Sequence, residues 1–431
     1  MSKHSRPEDH FTPRHYAAKD ARGPLPFLNP TRRHIPLSLT DAAATRSKSV
    51  VPTTTTDHAG GALQQGDAAA ALGKTTTGSV YHVWRSRDNR KGRHAIAVTE
   101  EYAGKSALRA TNSVVEVLRG VGKMFVRFPV WDVSYDVAVI YTIGSIIWCL
   151  NGFFVWLPLY RPATEFPGEV ASAGGITACL GATVFEVGSV LGMLEAVNEN
   201  RTDCFGWALE KIVEDGPRTV VRKREGECGH HHCYRRGLFG RRGGGVRAEG
   251  KDGPATGKGK VKTHPESRDR RRWSWCPSGY ELRTHYIREI GFLANASQMV
   301  GATIFWIAGI VGVEGILGGL STGAKNGVYW VPQVVGGTGF IISSSLFMLE
   351  TQERWYIPAP KLLGWHIGFW NLVGGIGFTL CGALGLGSAD ASVEYASTLA
   401  TFVGSWAFLL GSLIQLYESL NKYPISVVKG S

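Results

Sequence analysis

The sequence predicts an all-α membrane protein of six transmembrane helices, arranged as three two-helix repeats. Six apolar stretches carry the first part of that reading, at about 136–158, 173–195, 290–312, 329–350, 364–386 and 396–418. Each is about twenty residues or more, long enough for a helix to cross a ~30 Å hydrocarbon core. Buried helices of soluble proteins seldom come six in a row with so few charges. A repeated pattern carries the second part. Gly181, Phe185, Gly188, Ser189 and Glu195 are matched in spacing by Gly336, Phe340, Ser343, Ser344 and Glu350, and again by Gly404, Phe408, Gly411, Ser412 and Glu418. Each copy follows a second pattern: Gly144, Trp148, Gly152; Gly301, Phe305, Gly309; Gly374, Phe378, Gly382. Two helices recurring three times suggest hairpins around a pseudo-three-fold axis.

Charge placement sets the expected orientation. Residues 1–130 hold 20 Lys and Arg and residues 196–287 hold another 20, whereas the short loops of the opposite side hold only Arg161 and Lys325. The positive-inside rule then puts both termini in the cytoplasm. The net charge of +12 is thereby read as topological, and no nucleic-acid partner is inferred. Met1 to about Leu39 lacks the apolar core of a cleavable signal peptide, so the first span is expected to act as its own insertion signal.

The segments follow in order. Residues 1–105 mix prolines, threonine runs and scattered basic residues, so a disordered basic tail is expected; within it, Leu25 to Leu39 could be a docking peptide. Residues 106–131 are expected to form an amphipathic juxtamembrane segment. There Val114, Leu118, Val121 and Phe125 alternate with Arg119, Lys123 and Arg127, as in a helix lying on anionic head groups. The repeats occupy 132–198, 288–355 and 362–421, and a short tail spans 422–431. Between the first two repeats, 199–287 is a basic, glycine-rich loop. Its Cys228, His230, His231, His232 and Cys233 have the ligand chemistry for Zn²⁺. No CxxC pair accompanies them, so adventitious binding is the stronger reading and no other cofactor is inferred. The run Arg268–Trp275, basic and then tryptophan-rich, reads as a membrane-surface contact.

Inside the spans, offsets of 0, 4, 7, 8 and 14 fall on one helix face, and small residues on such a face let helices approach closely in lipid. Glu195, Glu350 and Glu418 fall at the inner ends of the even spans. They could pair with nearby basic residues such as Arg354, or form a ring of carboxylates at an inner vestibule. Glu186 breaks the symmetry, since its counterparts are Ile341 and Leu409. A carboxylate near the bilayer centre is expected to be protonated, paired or facing water, so Glu186 is either a transport or sensing group or a cross-helix hydrogen-bonder. Asn151, Asn295, Gln298 and Asn371 complete the candidate intramembrane polar site, with His366 as an interfacial candidate. No catalytic constellation is found; Gly240–Gly245 lacks the strand–helix context and the lysine–serine ending of a phosphate loop.

The segments Trp131–Leu157 (WDVSYDVAVIYTIGSIIWCLNGFFVWL), Gly181–Glu195 (GATVFEVGSVLGMLE) and Leu363–Gly385 (LGWHIGFWNLVGGIGFTLCGALG) resemble an uncharacterised family of fungal multi-pass integral membrane proteins. The two-helix unit is also similar, more loosely, to the YrhK-type membrane domain. The resemblance implies a membrane location over about 120–421 and no activity. The carrier-type proline–acid–basic signature is missing after the odd spans. Two functional expectations remain: a structural or sensing membrane protein whose basic regions engage lipids or partners, and a small-solute or proton-coupled transporter using Glu186. A cavity reaching Glu186 would favour the second.

Overall fold

The computed structural model describes residues 22–36, 80–100, 103, 110–206, 208–209 and 273–428. Among these residues six helices are long and apolar enough to cross a membrane: Val133–Tyr160, Glu169–Val197, Ile290–Val311, Thr322–Thr351, Leu363–Gly385 and Ala391–Leu420, spans one to six. Their edges fall within a few residues of the apolar stretches, apart from span four, which begins earlier. Each span packs on its neighbours in sequence, and span six closes against span one, so the six form a ring. Ile143, Leu150, Val187, Val300, Ile307, Val335, Ile376, Leu380, Val403 and Leu410 lie exposed on their outer surfaces. So wide an apolar surface suits contact with lipid tails rather than water. The protein is a multi-pass membrane protein.

The aromatic of each repeated pattern points to the centre of the ring. Trp148, Phe305 and Phe378 of the odd spans form one triangle, with ring centroids 5.6, 5.5 and 4.8 Å apart. Phe185, Phe340 and Phe408 of the even spans form a second, with separations of 6.4, 6.0 and 5.5 Å. Phe305–Phe340 and Phe378–Phe408 contacts join the two layers. Close aromatic pairs contribute about 0.5–1.5 kcal/mol each beyond burial, and together these rings fill the axis. The repeated glycines let the helices close around them: a Cβ on Gly374 would meet the Phe408 ring, and one on Gly144 the Phe185 ring.

Part of the tail expected to be disordered is folded. Strands β1 (Arg32–Pro36), β2 (Val80–Arg85), β3 (Ala95–Thr99) and β4 (Ile425–Val428) make one sheet in that order. β1–β2 and β2–β3 are antiparallel, and β3–β4 is parallel. The physical reason is long-range pairing: Val80–Arg85 and Ala95–Thr99 are too short to hold alone, and β4 lies more than three hundred residues away. The expected docking peptide docks within its own chain: Asn29 N–H donates to the Arg288 carbonyl at 2.9 Å. Its side-chain amide donates to Glu289 at 3.2 Å.

Between β2 and β3 sits one helical turn and a half, α1 (Ser86–Arg90). Gly92 takes φ of +59°, a conformation side-chain-bearing residues resist, and turns the chain back into β3. Farther on, α2 (Val114–Val126) is capped by Ser113, whose hydroxyl accepts from Glu116 N–H. Its Val114, Leu118 and Phe125 are exposed. Of the run expected at the membrane surface, Trp273 and Trp275 pack their rings on Phe205 beside Val133 and Val137 of span one, and Arg268 to Arg272 lie outside the described residues.

Candidate functional site

The even spans run so that Glu195, Glu350 and Glu418 fall in or near their last turns, where they are buried. That is the unfavourable end of a helix dipole for an anion, and three carboxylates converging there require cations. α1 supplies them. Arg90 Nη1 donates to Glu195 Oε1 and its Nη2 to Glu350 Oε2, each at 2.7 Å. Arg87 donates to Glu418 through Nε at 3.3 Å and Nη2 at 2.8 Å, and stands 4.0 Å from Glu350. Arg93 bridges Glu418 and Asp88 at 2.8 Å each, and Lys91 lies 3.4 Å from Glu195. Ser86 donates to Glu350 at 3.1 Å. Arg85 reaches the remaining oxygen of Asp88 at 3.2 Å. Every carboxylate of the ring is thus held by a cation.

Burial shapes the cations differently. It opposes the charge on Arg90, but Glu350 and Glu195 outweigh it and hold the guanidinium above its ordinary value. For Lys91 burial wins over Glu195, and its ammonium is lowered to about 8. Arg87 is raised: burial again opposes its charge, and Glu418 more than compensates. Packing makes room for these bulky groups. A Cβ on Gly364 would lie 2.5 Å from Arg87 Nε, and one on Gly291 would lie 2.5 Å from Glu350 Oε1. Phe347 lies under Arg90, whose guanidinium carbon is 5.3 Å from the ring centroid.

Between this network and the aromatic layers lies a cavity of about 40 Å³, room for two or three water-sized groups. Arg87, Arg90, Lys91 and Glu195 line its charged side, and Phe185 and Phe408 its apolar side. Tyr141, Gln298 and Asn371, each three residues before the first glycine of its odd-span pattern, line it together. Asn295 and Gln415 complete its polar wall.

Asn295, Gln298 and Asn371 are therefore brought together, whereas the other intramembrane candidates lie apart. Asn151 donates to the Gly174 carbonyl at 2.7 Å and to Thr177 at 3.0 Å, near the opposite end of the bundle. Glu186 accepts from Thr303 of span three at 3.0 Å and from Ser189 at 3.2 Å; the residues lining the cavity do not include it. His366 is bonded to the Pro360 carbonyl. The expected Arg354 pairing of the carboxylates is corrected, because Arg354 is exposed and donates to Tyr356. Arginines delivered by α1 reach the buried carboxylates from the axis, which a residue beyond the span end cannot. The candidate metal ligands Cys228, His230, His232 and Cys233 lie outside the described residues. Among the described residues no group of three His, Cys, Asp or Glu is placed to hold a metal.

Sequence reasoning missed Arg87, Asp88, Arg90, Lys91 and Arg93. Their signal was present: a dense charge run between two short segments rich in β-branched and aromatic residues fits a hairpin tip. No family model, curated protein or solved structure matches this chain.

Proposed function

We propose that this is a structural or sensing membrane protein: a helix ring closed along its axis that presents a basic end to lipid head groups or partners. The observation that carries the reading is the filled axis. Two aromatic triangles occupy its middle, and the cations of α1 sit on its carboxylate ring. The cavity between them, about 40 Å³, has room for only two or three water-sized groups. The excess of Lys and Arg on the side of the chain ends supports a cytoplasmic location for that end. The three matched patterns support a pseudo-three-fold arrangement, since matched residues meet in threes.

The transporter reading rests on Glu186, and its cross-helix bond to Thr303 favours a packing role instead. Reconstitution of the purified chain into vesicles tests the choice. Proton and small-solute flux should match protein-free vesicles between pH 5 and 8. A pH-dependent flux abolished by Glu186→Gln would replace this reading with transport.

A further inference from the structure

We propose that the crevice between α2 and the end of span six binds the headgroup of a zwitterionic phospholipid, holding its phosphate and its ammonium separately. This rests on the lipid-engaging reading above and adds a site and a ligand class to it. The crevice has a volume of about 160 Å³, and its lining includes Glu116, Lys123, Tyr417, Asn421 and Tyr423.

Its position suits a headgroup. Span six has 30 residues, about 45 Å of helix at ~1.5 Å per residue, against a ~30 Å hydrocarbon core. That excess lets its last turn, with Tyr417 and Leu420 and followed at once by Asn421 and Lys422, reach the headgroups. α2 lies beside that turn, with Gly120 directly against the Tyr417 ring. The helix shows its apolar side outward: Val114 is 75% exposed and Phe125 75%. A helix with that face and with Arg119, Lys123 and Arg127 on its flanks lies in the interface plane. A lipid whose tails run beside Val114 and Phe125 would place its headgroup at the crevice.

The lining chemistry selects the headgroup. Lys123 makes no ion pair among the described residues, and burial and then Arg127 lower its pKa; a phosphate would be a fitting counter-ion. Glu116 pairs with the exposed Arg119, a surface pair of small worth, so its carboxylate can accept an ammonium. Tyrosine faces attract ammonium groups as well, and Tyr417 and Tyr423 stand in the same wall. One positive and one negative side chain match one phosphate and one ammonium. The additional carboxylate of a serine headgroup would meet Glu116, and a glycerol headgroup would offer Glu116 no ammonium.

The test is lipid retention by the purified full chain in detergent, read by native mass spectrometry. Phosphatidylethanolamine, phosphatidylcholine, phosphatidylglycerol and phosphatidylserine compete in equal amounts, with soluble phosphoethanolamine as a separate arm. Both zwitterionic lipids should outcompete the anionic ones for one site. Lys123→Ala and Glu116→Gln should each weaken that binding by about ten-fold, the loss of one charge-assisted contact. An unfolding temperature like the parent's verifies the fold of both variants. Arg127→Ala, off the crevice, should leave the preference intact. Equal retention of zwitterionic and anionic lipids, or a preference unchanged in Lys123→Ala and Glu116→Gln, overturns the site. Soluble phosphoethanolamine binding as tightly as the lipids overturns the lipid source. Retention of anionic lipids without headgroup preference sinks this inference alone; retention of no lipid at all sinks the lipid-engaging reading with it.

Discussion

Arg90 and Glu350 stand 260 residues apart in the chain, yet Nη2 of one donates to Oε2 of the other at 2.7 Å inside the charged end of the ring. That bond ties the N-terminal hairpin to span four, and the second arm of Arg90 ties it to span two. A buried ion pair need not stabilise a fold relative to apolar packing, but breaking one leaves a bare charge.

Arg90→Ala is therefore expected to destabilise the protein by about 3–5 kcal/mol. Thermal unfolding in detergent checks this. Arg90→Lys should recover only part of the loss, because one ammonium cannot serve two carboxylates with a planar fork. Arg90→Met combined with Glu195→Gln and Glu350→Gln should be less damaged than Arg90→Ala. A triple variant as unstable as the single one would show that the charges are not the issue.

Gly364→Ala tests the close approach of Arg87. In an exposed helix interior this change would add about 1 kcal/mol of stability. Here the new Cβ would lie 2.5 Å from Arg87 Nε, and the unfolding temperature should fall instead. A rise would mean that α1 does not seat against span five.

Lys91 gives the pH dependence. Its folded value of about 8 is below the unfolded 10.5, with burial as the cause. Below pH 8 both states are protonated, and the full cost of burying the charge, about 3 kcal/mol, is present. Between pH 8 and 10.5 the unfolded state binds more protons, so this term makes stability rise with pH; above 10.5 it is constant. Lys91→Met should remove that rise. The difference between parent and variant, followed by thermal unfolding from pH 7 to 10.5, measures it. A constant difference across the window would refute the assignment.

Glu186→Leu removes the bond from Thr303 and should cost about 1 kcal/mol, in line with hydrogen bonds between membrane helices. Glu186→Gln keeps an acceptor for Thr303 and should be close to neutral. A folded Glu186→Leu protein that loses a pH-dependent partner interaction while keeping its stability would return Glu186 to a sensing role.

Cysteine labelling tests the orientation. Ser172→Cys and Ala391→Cys, each in a cysteine-free background, should react with an impermeant reagent from the outer or lumenal side. Cys228 restored alone should not. Labelling of Cys228 from that side would invert the arrangement.

Local sequence determined the spans and the faces they bury. Apolar runs of membrane-crossing length announce themselves without partners, and the matched Phe and Gly spacings already placed Phe185, Phe340 and Phe408 on equivalent faces. Asn295, Gln298 and Asn371 were legible as polar breaks in apolar helices, and all three line the cavity. Only the tertiary structure decided what lies opposite Glu195, Glu350 and Glu418. Arg87, Arg90, Lys91 and Arg93 sit in a charge run whose composition suits a solvated loop equally well. Neither β2 nor β3 is long enough to form alone, and they gain order by pairing with each other, with β1 and with β4. Charge pairing is non-local: a carboxylate states its need for a cation, but no periodicity names which distant residue will supply it. The ring of helices had to close before the three carboxylates shared one space, and only then did the arginines of the hairpin have a place to be buried.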